Sequence, residues 1–277
     1  MLVPFIIIGS GQLGTEFQKH FVQSGVDHVV FDYPDIDITS LESLKQLGEY
    51  QPAVILNCAA YTDVDKAEAD HKSVMAVNYD GARNLALVAK EYGALLVHYS
   101  TDYVFAGTST TPHNERHGVN PVNFYGYSKA TGEAEVRWSS KANLVIRTSQ
   151  LYGNKGPNFV LNVLGWARKS GTLRGVVDQF GSPTYTKDLV EGTLKLISAK
   201  ARGLYHLTNA GCCSKYELMK AVAEIKQLDV EVVEALTADF PTPAIRPLRP
   251  VMSIEKVQKY YQPRPWREAL EDYLSTL

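Results

Sequence analysis

Phe5-Ile6-Ile7-Ile8-Gly9-Ser10-Gly11-Gln12-Leu13-Gly14 decides the fold. An apolar run without alternation reads as a strand buried on both faces. The glycines that follow are spaced Gly-x-Gly-x-x-Gly, and Leu13 to Ser24 reads as a helix. Between a strand and a helix, that spacing permits a tight turn and lets the backbone approach a pyrophosphate at the helix N-terminus. Gly9, Gly11, Gln12, Leu13 and Gly14 are therefore candidate dinucleotide contacts. Asp32 closes the second apolar run, Val29-Val30-Phe31, 18 residues beyond Gly14. A carboxylate there accepts hydrogen bonds from an adenosine ribose and repels a 2′-phosphate, which favours NADH over NADPH.

Working outward, the alternation of apolar runs and amphipathic stretches continues. Leu41 to Glu49 reads as a helix, Ala53-Val54-Ile55-Leu56 as a strand, and Lys72 to Gly93 as one long helix. Leu95-Leu96-Val97-His98-Tyr99 and Leu144-Val145-Ile146 are further strands. The pattern predicts a doubly wound, Rossmann-type α/β fold with a parallel sheet covered on both faces. Asp37 and Ile38 are expected to flank the adenine, while Thr39 or Ser40 caps the next helix. Cys58-Ala59-Ala60-Tyr61 follows the third strand, and small residues there let a cofactor lie along the strand ends. Past residue 150, Gly, Pro and turn residues become denser. The expected division is a dinucleotide-binding domain over 1–150 and a smaller substrate-binding domain over 151–277, interleaved with the edge of the first.

Composition narrows the function. A chain of 277 residues can bury a sizeable core, and a net charge of −2 argues against nucleic acid or an anionic membrane surface as partner. The first apolar run, Met1 to Ile8, is short and lacks a basic leader, so it reads as a strand rather than a signal peptide. No run approaches the ~18 apolar residues of a membrane span. Cys58, Cys212 and Cys213 suit neither a disulfide framework nor a metal site, and a cytoplasmic protein with reduced thiols is expected. Asp63, Asp65 and Glu68 read as a solvated helix start rather than a metal cluster, and no metal is expected.

The chemistry sits in Phe124-Tyr125-Gly126-Tyr127-Ser128-Lys129-Ala130. Tyr125 and Lys129 stand four residues apart on one helix face, whereas Tyr127 points roughly 200° away. An ammonium beside a phenol stabilises phenolate, so Lys129 is expected to lower the pKa of Tyr125. Such a tyrosine can give a proton to a carbonyl while hydride arrives from elsewhere. Thr101, in Tyr99-Ser100-Thr101-Asp102-Tyr103-Val104-Phe105, follows the fourth strand and lies at the carboxyl edge of the sheet, where ligands bind in such folds.

With Thr101, Tyr125-x-x-x-Lys129 and the glycine-rich first turn in place, the chain resembles the extended short-chain dehydrogenase/reductase superfamily. Asn57-Cys58-Ala59-Ala60-Tyr61-Thr62-Asp63-Val64-Asp65-Lys66-Ala67-Glu68 narrows this to a resemblance to the dTDP-4-dehydrorhamnose reductase family. So do Arg147-Thr148-Ser149, Asn158-Phe159-Val160 and Asp178-Gln179-Phe180-Gly181-Ser182-Pro183-Thr184, in order along nearly the whole chain. The resemblance implies reduction of the C4 keto group of a dTDP-4-keto-6-deoxy sugar with NADH or NADPH. It implies that Thr101 polarises the carbonyl, Tyr125 donates the proton, and Lys129 also holds the nicotinamide ribose. Val64, Thr101, Asp102, Gln150, Asn158 and Gln179 would meet the nucleotide-sugar substrate. A homodimer is compatible with the sequence and not required by it.

Three positions depart from the family pattern. The first loop is one residue shorter, Gln150 replaces a tryptophan, and Leu248-Arg249-Pro250 replaces x-Asn-Ser. Tyr103 stands where the related 4,6-dehydratases carry a glutamate, which favours plain reduction over β-elimination. Another nucleotide sugar, acted on by reduction or epimerisation, stays open at this point, as does a dinucleotide-binding regulatory subunit without catalysis.

Overall fold

A computed structural model describes residues 4–277, so Met1 to Val3 lie outside the described residues. The centre is a six-stranded sheet in which every pair is parallel. Its chain-ordered strands are β1 (Phe5–Ile8), β2 (His28–Phe31), β3 (Val54–Asn57), β4 (Leu95–Thr101), β5 (Leu144–Thr148) and a last strand, Gly203–His206. Their spatial order is β2, β1, β3, β4, β5, Gly203–His206. The chain thus reverses direction across the sheet between β1 and β3, which makes their carboxyl ends the switch point where ligands bind.

The apolar runs have no polar face because both faces are covered. Ile6 and Ile8 join Ile55, Leu96 and Val145 under the Ala82–Glu91 helix, with Val136 of the Phe124–Ser139 helix. Ile7, between them in sequence, points the other way, into a cluster with Leu56, Val97, Ile146, Phe17 and Leu189. Two of the predicted helices are less regular than their patterns. Leu41–Leu44 is α-helical and Lys45–Tyr50 continues as a 3₁₀ helix. The long helix starts at His71, widens to a π-helix over Ala76–Gly81, and resumes as Ala82–Glu91. In the widened turn, the Asn78 amide bonds the backbone of Tyr61 on both sides and donates to Ser128 Oγ.

The region past residue 150 is interleaved with the first. Its Gly203–His206 strand pairs with β5, and its Thr186–Ser198 helix covers the sheet beside the Gln12–Ser24 helix. The outer side of that last strand meets side chains instead of a strand: His206 N donates to Glu115, and Leu204 O accepts from Lys256 Nζ. The remainder packs as a separate apolar cluster around Tyr152, Tyr185, Leu218, Leu270 and Tyr273. No helix of the described residues is long and apolar enough to cross a membrane.

Candidate active site

The nucleotide half of the site is made largely of backbone. Gly9 leaves β1 at φ +92°, and a Cβ there would stand 2.8 Å from Ala59 N at the exit of β3. A Cβ on Gly14 would stand 1.8 Å from Gly9 O, so the first helical turn rests directly on the loop. The helix begins after Gly11 with no side-chain cap and no acid in its first turn. Its leading N–H groups and positive dipole end are therefore available to an anion. Along these strand ends runs a cleft of about 280 Å³ lined by Gly9, Gly11, Asp32, Asp37, Ile38 and Cys58 to Ala60.

Asp32 is tied to the loop it faces. Its carboxylate accepts from Ser10 N at 3.1 Å, from Ser10 Oγ and from Tyr33 N at 2.9 Å. Burial alone would raise this carboxyl; the Ser10 and Tyr33 hydrogen bonds and the Lys155 charge outweigh it and hold the group below its ordinary value. Three other expected contacts do something different. Leu13 is buried in the core rather than lining the cleft. Gln12 turns its amide to Pro157 O at 3.0 Å, fastening the glycine loop to the second region. Tyr61 is held through its backbone by Asn78 and does not line this cleft. Tyr33 and Val77, which sequence reading passed over, do.

A second cleft, of about 260 Å³, opens beside the first. One loop runs along both, with Cys58 to Ala60 in the first and Thr62 and Val64 in the second. Thr101, Asp102, Tyr125 and Gln150 converge here with Val64. Tyr125 faces the cleft, while Tyr127 is about half exposed on the helix surface. Asn158 and Gln179 do not line it. Asn158 caps the Phe159–Ala167 helix and donates to Gly153 O, and Gln179 donates to Thr237 Oγ1.

The Phe124–Ser139 helix, which carries Tyr125 and Lys129, is positioned from several sides. Asn123 caps it and donates to Ile245 O at 2.8 Å, while Phe124 N donates to Glu68 at 2.8 Å. Gly132 lies flush on the π-turn, where a Cβ would be 1.9 Å from Asn78 O. Glu133 takes two hydrogen bonds, of 2.7 and 2.6 Å, from the buried guanidinium of Arg147 on β5. The acidic turn after β3 is a solvated helix start at Asp63, which accepts from Lys66 N, but not at Asp65, which pairs with Arg246 at 2.7 Å and accepts from Ala244 N. With Glu68 holding Phe124 N, that turn ties the catalytic helix to the C-terminal segment.

Lys129 does not act on Tyr125 as the spacing suggested. Its ammonium is buried and donates to Tyr99 O at 2.7 Å, and burial pulls it down to about 8. Burial pushes the Tyr125 phenol up, with the charges of Asp102 and Tyr103 adding to it; the Thr101 hydroxyl, within hydrogen-bonding reach, opposes. Asp102 is the other displaced group. Burial raises it to about 6 against hydrogen bonds from Ser149 (2.6 Å) and Thr101 (3.0 Å) and the charge of Lys215. Lys215 was not a sequence candidate. It opens the Lys215–Ile225 helix, lines the cleft and lies 4.4 Å from the centre of the Phe159 ring.

Comparison with known proteins agrees with this geometry. The family model of the RmlD substrate binding domain matches residues 5–277. The chain belongs to the dTDP-4-dehydrorhamnose reductase family. It is 36% identical to the dTDP-4-dehydrorhamnose reductase of Aggregatibacter actinomycetemcomitans, over 98% of each chain. It is 39% identical to the spore coat polysaccharide biosynthesis protein SpsK of Bacillus subtilis, over 99% of this chain and 97% of that one. The crystal structure of the Bacillus anthracis dTDP-4-dehydrorhamnose reductase in complex with NADP superposes with a TM-score of 0.96 at 36% identity, covering both chains fully. The chain is thus a nicotinamide-dinucleotide oxidoreductase, and the Gly9–Ala59 approach and the open helix terminus fit such a cofactor.

Proposed function

We propose that this reductase converts a dTDP-4-keto-6-deoxy sugar to its C4 alcohol, dTDP-4-dehydrorhamnose to dTDP-L-rhamnose, with NADH preferred. The convergence of Thr101, Asp102 and Tyr125 on a cleft adjoining the nucleotide cleft carries this reading. Gly9, Gly11, Asp32 and Ala59 would hold the dinucleotide, which supplies a hydride when bound. Tyr125, kept protonated by burial, gives its proton to the C4 oxygen. Lys129 fixes the floor of the site through Tyr99 O. The NADH preference rests on Asp32, whose carboxylate stands at the ribose end and is held ionised. Only Tyr103 follows Asp102, so β-elimination lacks a second carboxylate. On this reading the chain divides into a nucleotide-binding region over 1–150 and a smaller substrate-binding region over 151–277, with residues of both lining the second cleft. The three cysteines are free, as a reducing cytoplasm would keep them.

The test is oxidation of NADH and of NADPH by the purified protein with dTDP-4-dehydrorhamnose, with the product identified by NMR. Turnover to dTDP-L-rhamnose, faster with NADH at limiting cofactor, is the expected result. Inactivity on this sugar with intact dinucleotide binding would overturn the substrate; a preference for NADPH would overturn the role given to Asp32.

A further inference from the structure

The hydrogen bonds around Thr101 contain a counting problem. A threonine hydroxyl has one proton and two lone pairs. Thr101 Oγ1 accepts from Tyr103 N at 3.1 Å and donates to Asp102 Oδ1 at 3.0 Å. The Tyr125 phenol stands beside it in the same cleft. In this arrangement, Thr101 has no proton to offer a substrate carbonyl. Its polarising role requires that proton to be released.

We propose that Asp102 sets the direction of the Thr101 hydroxyl: as a carboxylate it takes the Thr101 proton, and as a carboxylic acid it donates to Thr101 Oγ1 and frees that proton for the substrate carbonyl. This rests on the reductase reading above. The acid proton comes from water and returns to it, so the hydride and proton balance of the reduction is untouched. Ser149 makes the exchange directional. Its hydroxyl donates to Asp102 Oδ2 at 2.6 Å, which leaves Oδ1, the oxygen facing Thr101, as the place for the acid proton. Ser149 and Lys215 are then positioning residues that act through Asp102.

The groups around Asp102 come from every element packed on it. Tyr103 follows it in the same turn, and Tyr125 faces it from the catalytic helix. Lys215 faces it from the Lys215–Ile225 helix, and the charge of Arg246 from the C-terminal segment reaches Tyr103 and Lys215. Lys215 is the cation that favours the carboxylate; burial favours the acid and outweighs it. Removing Lys215 therefore moves the balance further toward the acid, that is, to higher pH.

The experiment is the pH dependence of single-turnover reduction, alongside the infrared carboxylic-acid band of the protein without substrate. The wild-type rate is expected to fall about tenfold per pH unit above an inflection. The infrared band should disappear over the same range. D102N should lose both the inflection and the band. K215M should move both to higher pH, and S149A should lower the rate on the acidic side by letting the proton settle on Oδ2. An inflection that persists in D102N, or that K215M moves to lower pH, overturns the proposal. So does a wild-type band that does not titrate. The infrared titration needs no turnover, so it still decides the Asp102 question if the sugar proves wrong. A reductase whose pH profile D102N leaves unchanged would keep the reaction and lose this proposal.

Discussion

The two halves of the site lie at the carboxyl ends of one sheet and are built on opposite plans. The nucleotide half is backbone: Gly9 and Gly14 with no room for a Cβ, an uncapped helix end, and one carboxylate tied to its own loop. The substrate half is side chain: groups from Val64 to Lys215 that meet only when the chain has folded, several of them buried with charge. A backbone site needs a short local motif. A side-chain site needs the whole fold to be right first.

Tyr125→Phe should separate the halves most sharply. Turnover is expected to fall about 10²- to 10⁴-fold with modest change in dinucleotide affinity. Unchanged single-turnover rates would remove Tyr125 from the chemistry. Glu133→Gln should instead damage both halves, because the catalytic helix is shared. It leaves Arg147 buried without its carboxylate, at a cost of about 3–5 kcal/mol read by denaturant unfolding. Gly14→Ala belongs to the backbone half. Its Cβ meets Gly9 O, so a loss of about 1–3 kcal/mol in stability is expected, and NADH titration should show weakened binding. A variant that bound NADH normally would show the loop to be more yielding than its contacts suggest.

Asp32→Ala should leave the sugar untouched and shift the ratio of NADH to NADPH affinity toward NADPH by about tenfold, or ~1.4 kcal/mol. Gln150→Ala is the mildest. Its amide oxygen is buried without a partner and its side chain lies against Gly181. A KM rise of roughly three- to tenfold with kcat unchanged is expected. A fall in kcat instead would mean that Gln150 acts in the transition state rather than in binding.

The same contrast explains what could be read from the sequence. Five strands of the central sheet were legible from their apolar runs, the sixth, Gly203–His206, was not, and the glycine loop was legible because its spacing is a backbone requirement. Thr101, Tyr125 and Gln150, picked out by strand position, motif and family pattern, line one cleft. Lys215 was invisible: a lysine opening a helix after Ser214 is unremarkable until that helix is laid against Asp102. Ser149 stood inside a quoted motif, but its bond to Asp102 spans 47 residues. Asn158 and Gln179 bond within the fold, one as a helix cap and one to Thr237, and a capping amide and a substrate-binding amide look alike in one dimension. The Lys129 ammonium was misassigned to the phenol because helix spacing shows the face a side chain shares and not the carbonyl it reaches on another strand.

The strand that completes the sheet has a consequence for how the protein is made. Gly203–His206 pairs with β5, which is finished well before it in the chain. During synthesis, that side of β5 must wait with open N–H and C=O groups until residues 203–206 emerge. Glu115 and Lys256 close only the outer side of the last strand, so they cannot protect the earlier edge. A fragment ending at residue 150 is expected to self-associate by size-exclusion chromatography under conditions where the full chain does not form the same aggregates. The nucleotide half, so easily recognised in the sequence, is on this account unable to stand alone in solution.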